Sequence, residues 1–239
     1  MHDIGYDAIH DEIVVSNPFA QAILTFRGGA NGEEAPIRVI QGPSTQLEDV
    51  QRVDLDPVHN EMFAPSGDAI LVFRREANGN AEPIRVLRGP NTRLKEVSAV
   101  AVDPVRNLVM ASTSDIIAMP RNGGIAIFNR TDNGNAKPRA VIQGPKTGIH
   151  RIVQMEVLPT GWIVAAMPGI REDQEPEGVF VGFWNVHDNG DIPPRWKLTG
   201  SKSTLKKPRG VAFNVKNKEI IIADMRLNSV LTFYFPEIF

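Results

Sequence analysis

Apolar and polar residues alternate along this chain in short runs, and the same alternation returns five times at a spacing of roughly fifty residues, the mark of an internal repeat. The clearest run ends in an aromatic residue. It reads Ile23-Leu24-Thr25-Phe26, then Ile70-Leu71-Val72-Phe73, Ile125-Ala126-Ile127-Phe128, Val181-Gly182-Phe183-Trp184 and Val230-Leu231-Thr232-Phe233. Runs of this length, rich in Val, Ile and Thr and bounded by Gly, Pro and Asn, predict β-strands rather than helices.

Each of the first four units predicts four strands. The first is Val53-Asp54-Leu55-Asp56-Pro57, matched by Val100-Ala101-Val102-Asp103-Pro104 and Val211-Ala212-Phe213-Asn214. The second is Glu61-Met62-Phe63-Ala64, matched by Leu108-Val109-Met110-Ala111, Trp162-Ile163-Val164-Ala165 and Glu219-Ile220-Ile221-Ile222-Ala223. The aromatic-terminated run is the third. It leads into Asn78-Gly79, Asn133-Gly134 or Asn189-Gly190, a pair that supplies positive φ and predicts a hairpin connection. The fourth opens on a proline, as a strand start allows, in Pro83–Leu87, Pro138–Ile142 and Pro194–Leu198. It closes at Gly89-Pro90, Gly144-Pro145 or Gly200-Ser201.

Four antiparallel strands per repeat predict β-propeller blades. The expectation is an all-β, single-domain propeller of about five four-stranded blades, with units near 1–46, 47–93, 94–148, 149–205 and 206–239. The fifth unit carries three strands, so the last blade lacks its outer strand. Either a three-stranded last blade is tolerated, or a partner molecule covers its edge, or the chain is a piece of a larger propeller; an unpaired apolar edge invites strand addition, and self-association through it is one expected form of the second.

The segment from Val211-Ala212-Phe213 through Ala223-Asp224 to Asn228 and Phe233 resembles the NHL repeat, and Ser16-Asn17 to Phe26 is a degenerate copy. The stretches Gly79 to Pro90 and Gly134 to Pro145 resemble those of NHL-like or YVTN-like bacterial propeller proteins. The resemblance covers nearly the whole chain and implies the fold. Its members bind proteins, glycans or RNA, or act as lactonases and lyases, so it implies no single activity. Asp224 has no counterpart at Ser66 or Ser112, and Leu158-Pro159 replaces Asp-Pro in the fourth unit.

Charge narrows the partners. Lys and Arg total 26 against 28 Asp and Glu, a net charge of -2 with both signs interspersed. The field that attracts nucleic acid or an anionic membrane is absent, so neither is expected as a partner. Cysteine is absent, which excludes disulfides and thiolate chemistry and leaves the compartment undecided between cytoplasmic and extracytoplasmic. The opening Met1-His2-Asp3-Ile4-Gly5-Tyr6 has no basic start or apolar run, and no later stretch reaches the length of a membrane span.

Candidate chemistry sits where the repeat is broken. Most connections between the second and third strands are short, as in Ser66-Gly67-Asp68-Ala69, but two are expanded, Ser112 to Gly124 and Met167 to Gly178. These loops bring Asp115, Arg121, Arg171 and Asp173 to the face where ligands bind propellers. Near the expected central channel on that face lie Arg52, His150, Gln154 and Arg209, groups suited to a small polar or anionic ligand. Asp173, Glu175 and Glu177 have the oxygens calcium takes, but a solvated acidic loop accounts for them. His10 and His59 fall at one repeat position, which assigns them to a turn. A lone histidine is no zinc site, and no phosphate-binding loop, nucleophile elbow or zincin spacing occurs. No metal, cofactor or catalytic residue is expected.

The resulting expectation is a non-enzymatic scaffold that binds a protein, peptide or glycan on the face of the long loops. A metal-dependent hydrolase or lyase, lactonase-like, is the alternative, its ligands drawn from Asn17, Asp115, His150 and Asp224.

Overall fold

The structure is a computed structural model that describes residues 3–113, 122–169 and 178–239. It is all-β: five antiparallel sheets follow one another along the chain, a β-propeller of five blades. The first sheet is β1 (Asp3–Asp7), β2 (Glu12–Asn17), β3 (Ala22–Arg27) and β4 (Arg38–Gln41). The second is β5 (Asp54–Asp56), β6 (Glu61–Ser66), β7 (Ala69–Arg74) and β8 (Arg85–Leu87). The third is β9 (Val100–Asp103), β10 (Leu108–Thr113), β11 (Gly124–Asn129) and β12 (Ala140–Gln143). The fourth is β13 (Gln154–Val157), β14 (Trp162–Pro168), β15 (Val179–Asn185) and β16 (Trp196–Leu198). The fifth has three strands, β17 (Pro208–Asn214), β18 (Glu219–Asp224) and β19 (Ser229–Tyr234). The chain divides into two compact units, Met1–Ala111 with Phe128–Lys137 and Ser112–Ile127 with Pro138–Phe239, and the division runs through the third sheet.

Apolar residues of the middle strands make the cores. In the first unit Val14, Ile23, Met62, Leu71 and Phe73 form one buried cluster. In the second, Val164, Val181, Phe183, Ile220 and Ile222 form another. The repeated aromatic is enclosed as expected at Phe73, Phe128 and Trp184, each fully buried, while Phe26 and Phe233 are half-buried. Trp184 is larger than its counterparts and depends on a glycine, because a Cβ on Gly182 would meet its ring at 2.6 Å.

In the first three blades the turn after the first strand is held by an aspartate. Asp7 Oδ1 accepts the N–H of His10 at 3.0 Å and its Oδ2 meets His10 Nδ1 at 2.7 Å; Asp56 and His59 repeat both contacts at the same distances. In the third blade Arg106 takes the place of the histidine, donating from Nη1 to Asp103 at 2.9 Å. The histidines therefore close turns, as their repeat position predicts.

The Asn-Gly pairs do something other than turn a hairpin. The third and fourth strands are joined by about ten residues, and only the glycine of each pair has positive φ: 65° at Gly79, 62° at Gly134 and 85° at Gly190. The asparagine reaches the preceding blade instead. Val39 donates its N–H to Asn78 Oδ1, Val86 to Asn133 and Val141 to Asn189, each at 2.9 Å. The following glycine forms a parallel bridge to the same outer strand, Gly79 to Ile40, Gly134 to Leu87 and Gly190 to Ile142. The next side chain completes the grip at 2.7 Å, Asn80 on the N–H of Ser44, Asn135 on that of Asn91 and Asp191 on that of Lys146. Each tip is thus a clasp that satisfies the outward N–H groups of its neighbour's edge strand. The clasp also explains the Gly-Pro signal after strand four: a Cβ on Gly42 or Gly89 would lie 2.5 or 2.6 Å from the clasping Asn80 or Asn135.

Candidate functional site

The first strand of each sheet leaves one edge without a strand partner, and its N–H groups need acceptors. Side chains of the neighbouring first strand supply them. In the first unit Asp3 Oδ2 accepts the N–H of Val53 at 3.1 Å and Asp54 Oδ2 that of Val102 at 2.7 Å. In the second unit Gln154 Oε1 accepts the N–H of Val211 at 2.8 Å, and Gly210 keeps the approach open, since a Cβ there would come 3.2 Å from that oxygen.

These acceptors account for several of the expected site residues. Gln154 is engaged in the link to β17. Arg52 has its side chain 12% exposed; its Nη1 lies 3.9 Å from Asp3 Oδ1 and 3.4 Å from the Gln51 carbonyl. Arg209 is half-buried on β17, beside the irregular register at Pro208/Gly210. His150 is half-buried at the root of the first long loop: the N–H of Gly123 donates to Ile149 O at 3.2 Å, and a Cβ on Gly123 would meet the His150 carbonyl at 2.7 Å. Gln154 and the start of β17 that carries Arg209 meet within the second unit, and Arg52 belongs to the first. Asp115, Arg121, Arg171 and Asp173 lie outside the described residues.

Asp3 and Asp54 are the carboxylates that sequence reasoning passed over. Burial pushes the Asp3 carboxyl up against the pull of Arg52 and the Val53 N–H. Asp54 retains some accessible surface yet is deeply enclosed by protein, and that enclosure, with Asp3 and Asp56 nearby, pushes it up to about 7 despite the N–H groups of Leu55 and Val102. A signal was available: in register, the position of Asp54 is Gly5, Ala101 and Ala212 in three blades, and only the fourth, with Glu156, also places an acid there.

Asp224 is structural. Its Oδ2 accepts the N–H groups of Lys206 and Lys207 at 2.8 Å, and its Oδ1 those of Arg226 and Leu227 at 3.1 Å. Ser66, at the same strand position, does part of this work by accepting the Glu48 N–H at 2.8 Å. Among the described residues no three His, Asp or Glu side chains converge as a metal site. No helix among them is long and apolar enough to cross a membrane. In the first unit a groove of about 460 Å³ lies beside the connections of the first blade, lined by Gln21, Gln41, Gln46 and Glu48 among others.

No family model matches the chain, and no curated protein matches it. Among solved structures it is similar to one titled Kuenenia stuttgartiensis Hydrazine Synthase, with a TM-score of 0.65 and 10% identity. The likeness takes in 92% of this chain and 54% of that one, so the chain spans about half the length of that neighbour. At such identity the likeness concerns the fold.

Proposed function

We propose that the chain is a non-enzymatic propeller scaffold of the NHL-like kind, binding a protein, peptide or glycan on the face of the two long loops, through Asp115, Arg121, Arg171 and Asp173, with His150 at their root. The observation that carries this reading is where the polar side chains are spent. Asp3, Asp54 and Gln154 accept backbone N–H groups of neighbouring strands, and Asp224 accepts four. What differs between blades is the connection between second and third strands. Gly67-Asp68 suffices between β6 and β7, whereas β10 ends at Thr113 and β11 begins at Gly124, and β14 ends at Pro168 and β15 begins at Val179. Variation confined to one set of loops on a rigid repeat is how scaffolds acquire ligands. The amide-lined groove of the first blade, with Gln21, Gln41 and Gln46, offers donors and acceptors of the kind a neutral hydroxylated ligand takes.

Thermal unfolding in the presence of peptides, glycans, lactones and divalent metals tests the reading, because a ligand of the native state raises the midpoint. The expected result is a shift with a peptide or glycan that is lost when 167–178 is shortened to a two-residue turn. A shift with a metal ion that EDTA reverses, accompanied by lactone hydrolysis, overturns it in favour of the lactonase-like alternative.

A further inference from the structure

The inter-blade clasp is built four times and filled three times. The fourth tip is Asn31-Gly32-Glu33, in the connection from β3 to β4, aligned with Asn78-Gly79-Asn80 by equal spacing from the flanking arginines: Arg27 and Arg38 in one blade, Arg74 and Arg85 in the next. It has the shape of the filled tips. Gly32 has φ 63°, against 65° at Gly79 and 62° at Gly134. The N–H of Ala30 donates to Arg27 O at 3.0 Å, as that of Ala77 does to Arg74 O and that of Asp132 to Asn129 O at the same distance. The N–H of Ile37 donates to Thr25 O at 2.7 Å, as that of Ile84 does to Val72 O at 2.8 Å. Yet no strand bridges to Gly32, and no hydrogen bond reaches the Asn31 side chain among the described residues.

The matching outer edge is present as well. In register, Lys197 of β16 stands where Val39, Val86 and Val141 donate to a clasp, and Gly200 where Gly42, Gly89 and Gly144 meet one. Among the described residues no tip occupies it: a Cβ on Gly200 would meet none of them within 4 Å, whereas one on Gly42 or Gly89 would press against the clasping side chain. Lys197 carries its ammonium 4.1 Å from the centre of the Phe180 ring, and among the described residues no parallel bridge involves Leu198.

We infer that Asn31-Gly32-Glu33 of one copy of this chain clasps the β16 edge, Lys197 to Lys202, of a second copy. Asn31 Oδ1 accepts the Lys197 N–H, Gly32 bridges Leu198, and the Glu33 carboxylate takes the Lys202 N–H where Asn80, Asn135 and Asp191 serve within the chain. Charge favours this occupant. The third tip residue is acidic and the edge residue it faces is basic, as Asp191 already faces the N–H of Lys146. Because the two surfaces differ, the contact is head-to-tail and grows into rings or filaments rather than stopping at a symmetric pair. A tip that is already shaped loses little freedom on docking, so a small contact suffices for weak, concentration-dependent association.

Sedimentation of the full chain from micromolar to millimolar concentration tests this, with a melting curve for every variant to show that it folds. Wild type is expected to associate with rising concentration. Asn31→Ala is expected to weaken association roughly 3- to 10-fold with an unchanged midpoint, the effect of losing one such hydrogen bond. Lys202→Glu weakens it as well, and Glu33→Asn combined with Lys202→Glu restores it, since the asparagine oxygen accepts the N–H as Asn80 and Asn135 do and no longer faces a like charge. A 1:1 mixture of Asn31→Ala with Lys202→Glu chains forms limited species, since one contact between the two variants keeps both intact halves. A monomer at all concentrations overturns the proposal. So does association indifferent to both substitutions, which points to the β19 edge, and so does association that Glu33→Asn fails to recover in the Lys202→Glu chain.

Discussion

Arg130 reaches from the third blade to Glu61 of the second, its Nη1 on Glu61 Oε2, while Arg85 of the second blade donates to the same oxygen at 2.7 Å. Glu12 holds Arg38 and Arg75 in the same way one blade earlier. At the equivalent sequence positions the next repeat has Leu108, Ala140 and Val186, and the one after has Trp162, Trp196 and Phe235. In that last cluster Trp196 sits 4.7 Å from Trp162 and 5.7 Å from Phe235, ring to ring. One repeat position is therefore met by an ionic solution or an apolar one.

Removing one member of an ion triad leaves charges without a partner, whereas replacing the whole triad need not cost stability. Glu61→Gln is expected to lower stability by roughly 2–3 kcal/mol. The triple variant Glu61→Leu, Arg85→Ala, Arg130→Val is expected to match wild type within about 1 kcal/mol. Urea denaturation measures both; a triple variant as unstable as the single one contradicts the interpretation.

The filled clasps make a graded prediction. Asn78→Ala, Asn133→Ala and Asn189→Ala each remove an acceptor from a strand N–H and are expected to cost about 1 kcal/mol. The midpoint should fall in each, as read by thermal unfolding at a concentration where the chain is monomeric. Asn31→Ala should leave it in place.

Opposed carboxylate shifts give stability a maximum in pH. Burial raises Glu61, but Arg85 and Arg130 more than offset it and hold the group below its ordinary value. Burial likewise raises Asp7, and the N–H and ring of His10 and the N–H of Ile9 bring it below. A group depressed in the folded state contributes stability above its unfolded pKa and loses it as pH falls through the folded value. Asp54 has the opposite sign. Between the ordinary carboxylate value of about 4 and about 7 the folded state holds a proton that the unfolded state has released, so stability declines as pH rises through that window. The melting midpoint should therefore decrease from pH 5 to pH 8, and Asp54→Asn should flatten that decline while leaving the acid limb intact. An unchanged slope in Asp54→Asn would remove the group from the account.

Close packing around the repeated aromatic should be sensitive in both directions. Phe73→Ala or Phe128→Ala is expected to cost about 3–5 kcal/mol. Gly182→Ala, which forces a Cβ against the Trp184 ring, is expected to cost roughly 1–3 kcal/mol. Calorimetry of each variant provides the check, and a neutral Gly182→Ala would show that the ring can move aside.

Blade count, strand order and the three-stranded fifth sheet were legible because strand alternation and turn residues act locally, and five copies let each unit correct the next. Trp196, on an outer strand, is half-buried because Trp162 and Phe235, distant in sequence, close over it. The Asn-Gly pair predicts a hairpin turn because it has that local preference, and only the neighbouring blade reveals that the asparagine caps Val39, Val86 or Val141. The candidate site was less legible for the same reason. Gln154 and Asp224 have the chemistry of ligand groups, and what makes them structural is an N–H on a strand far along the chain, or on a loop some seventeen residues away.

The central claim is that one clasp design, filled by Asn78, Asn133 and Asn189, stands open at Asn31 and at the β16 edge. Amide hydrogen exchange on dilute, monomeric protein tests it most directly. The account predicts that the N–H groups of Val39, Val86 and Val141 are protected and that of Lys197 exchanges freely, becoming protected as concentration rises. Equal protection of Lys197 at the lowest concentration, or free exchange at Val39, Val86 and Val141, would contradict it.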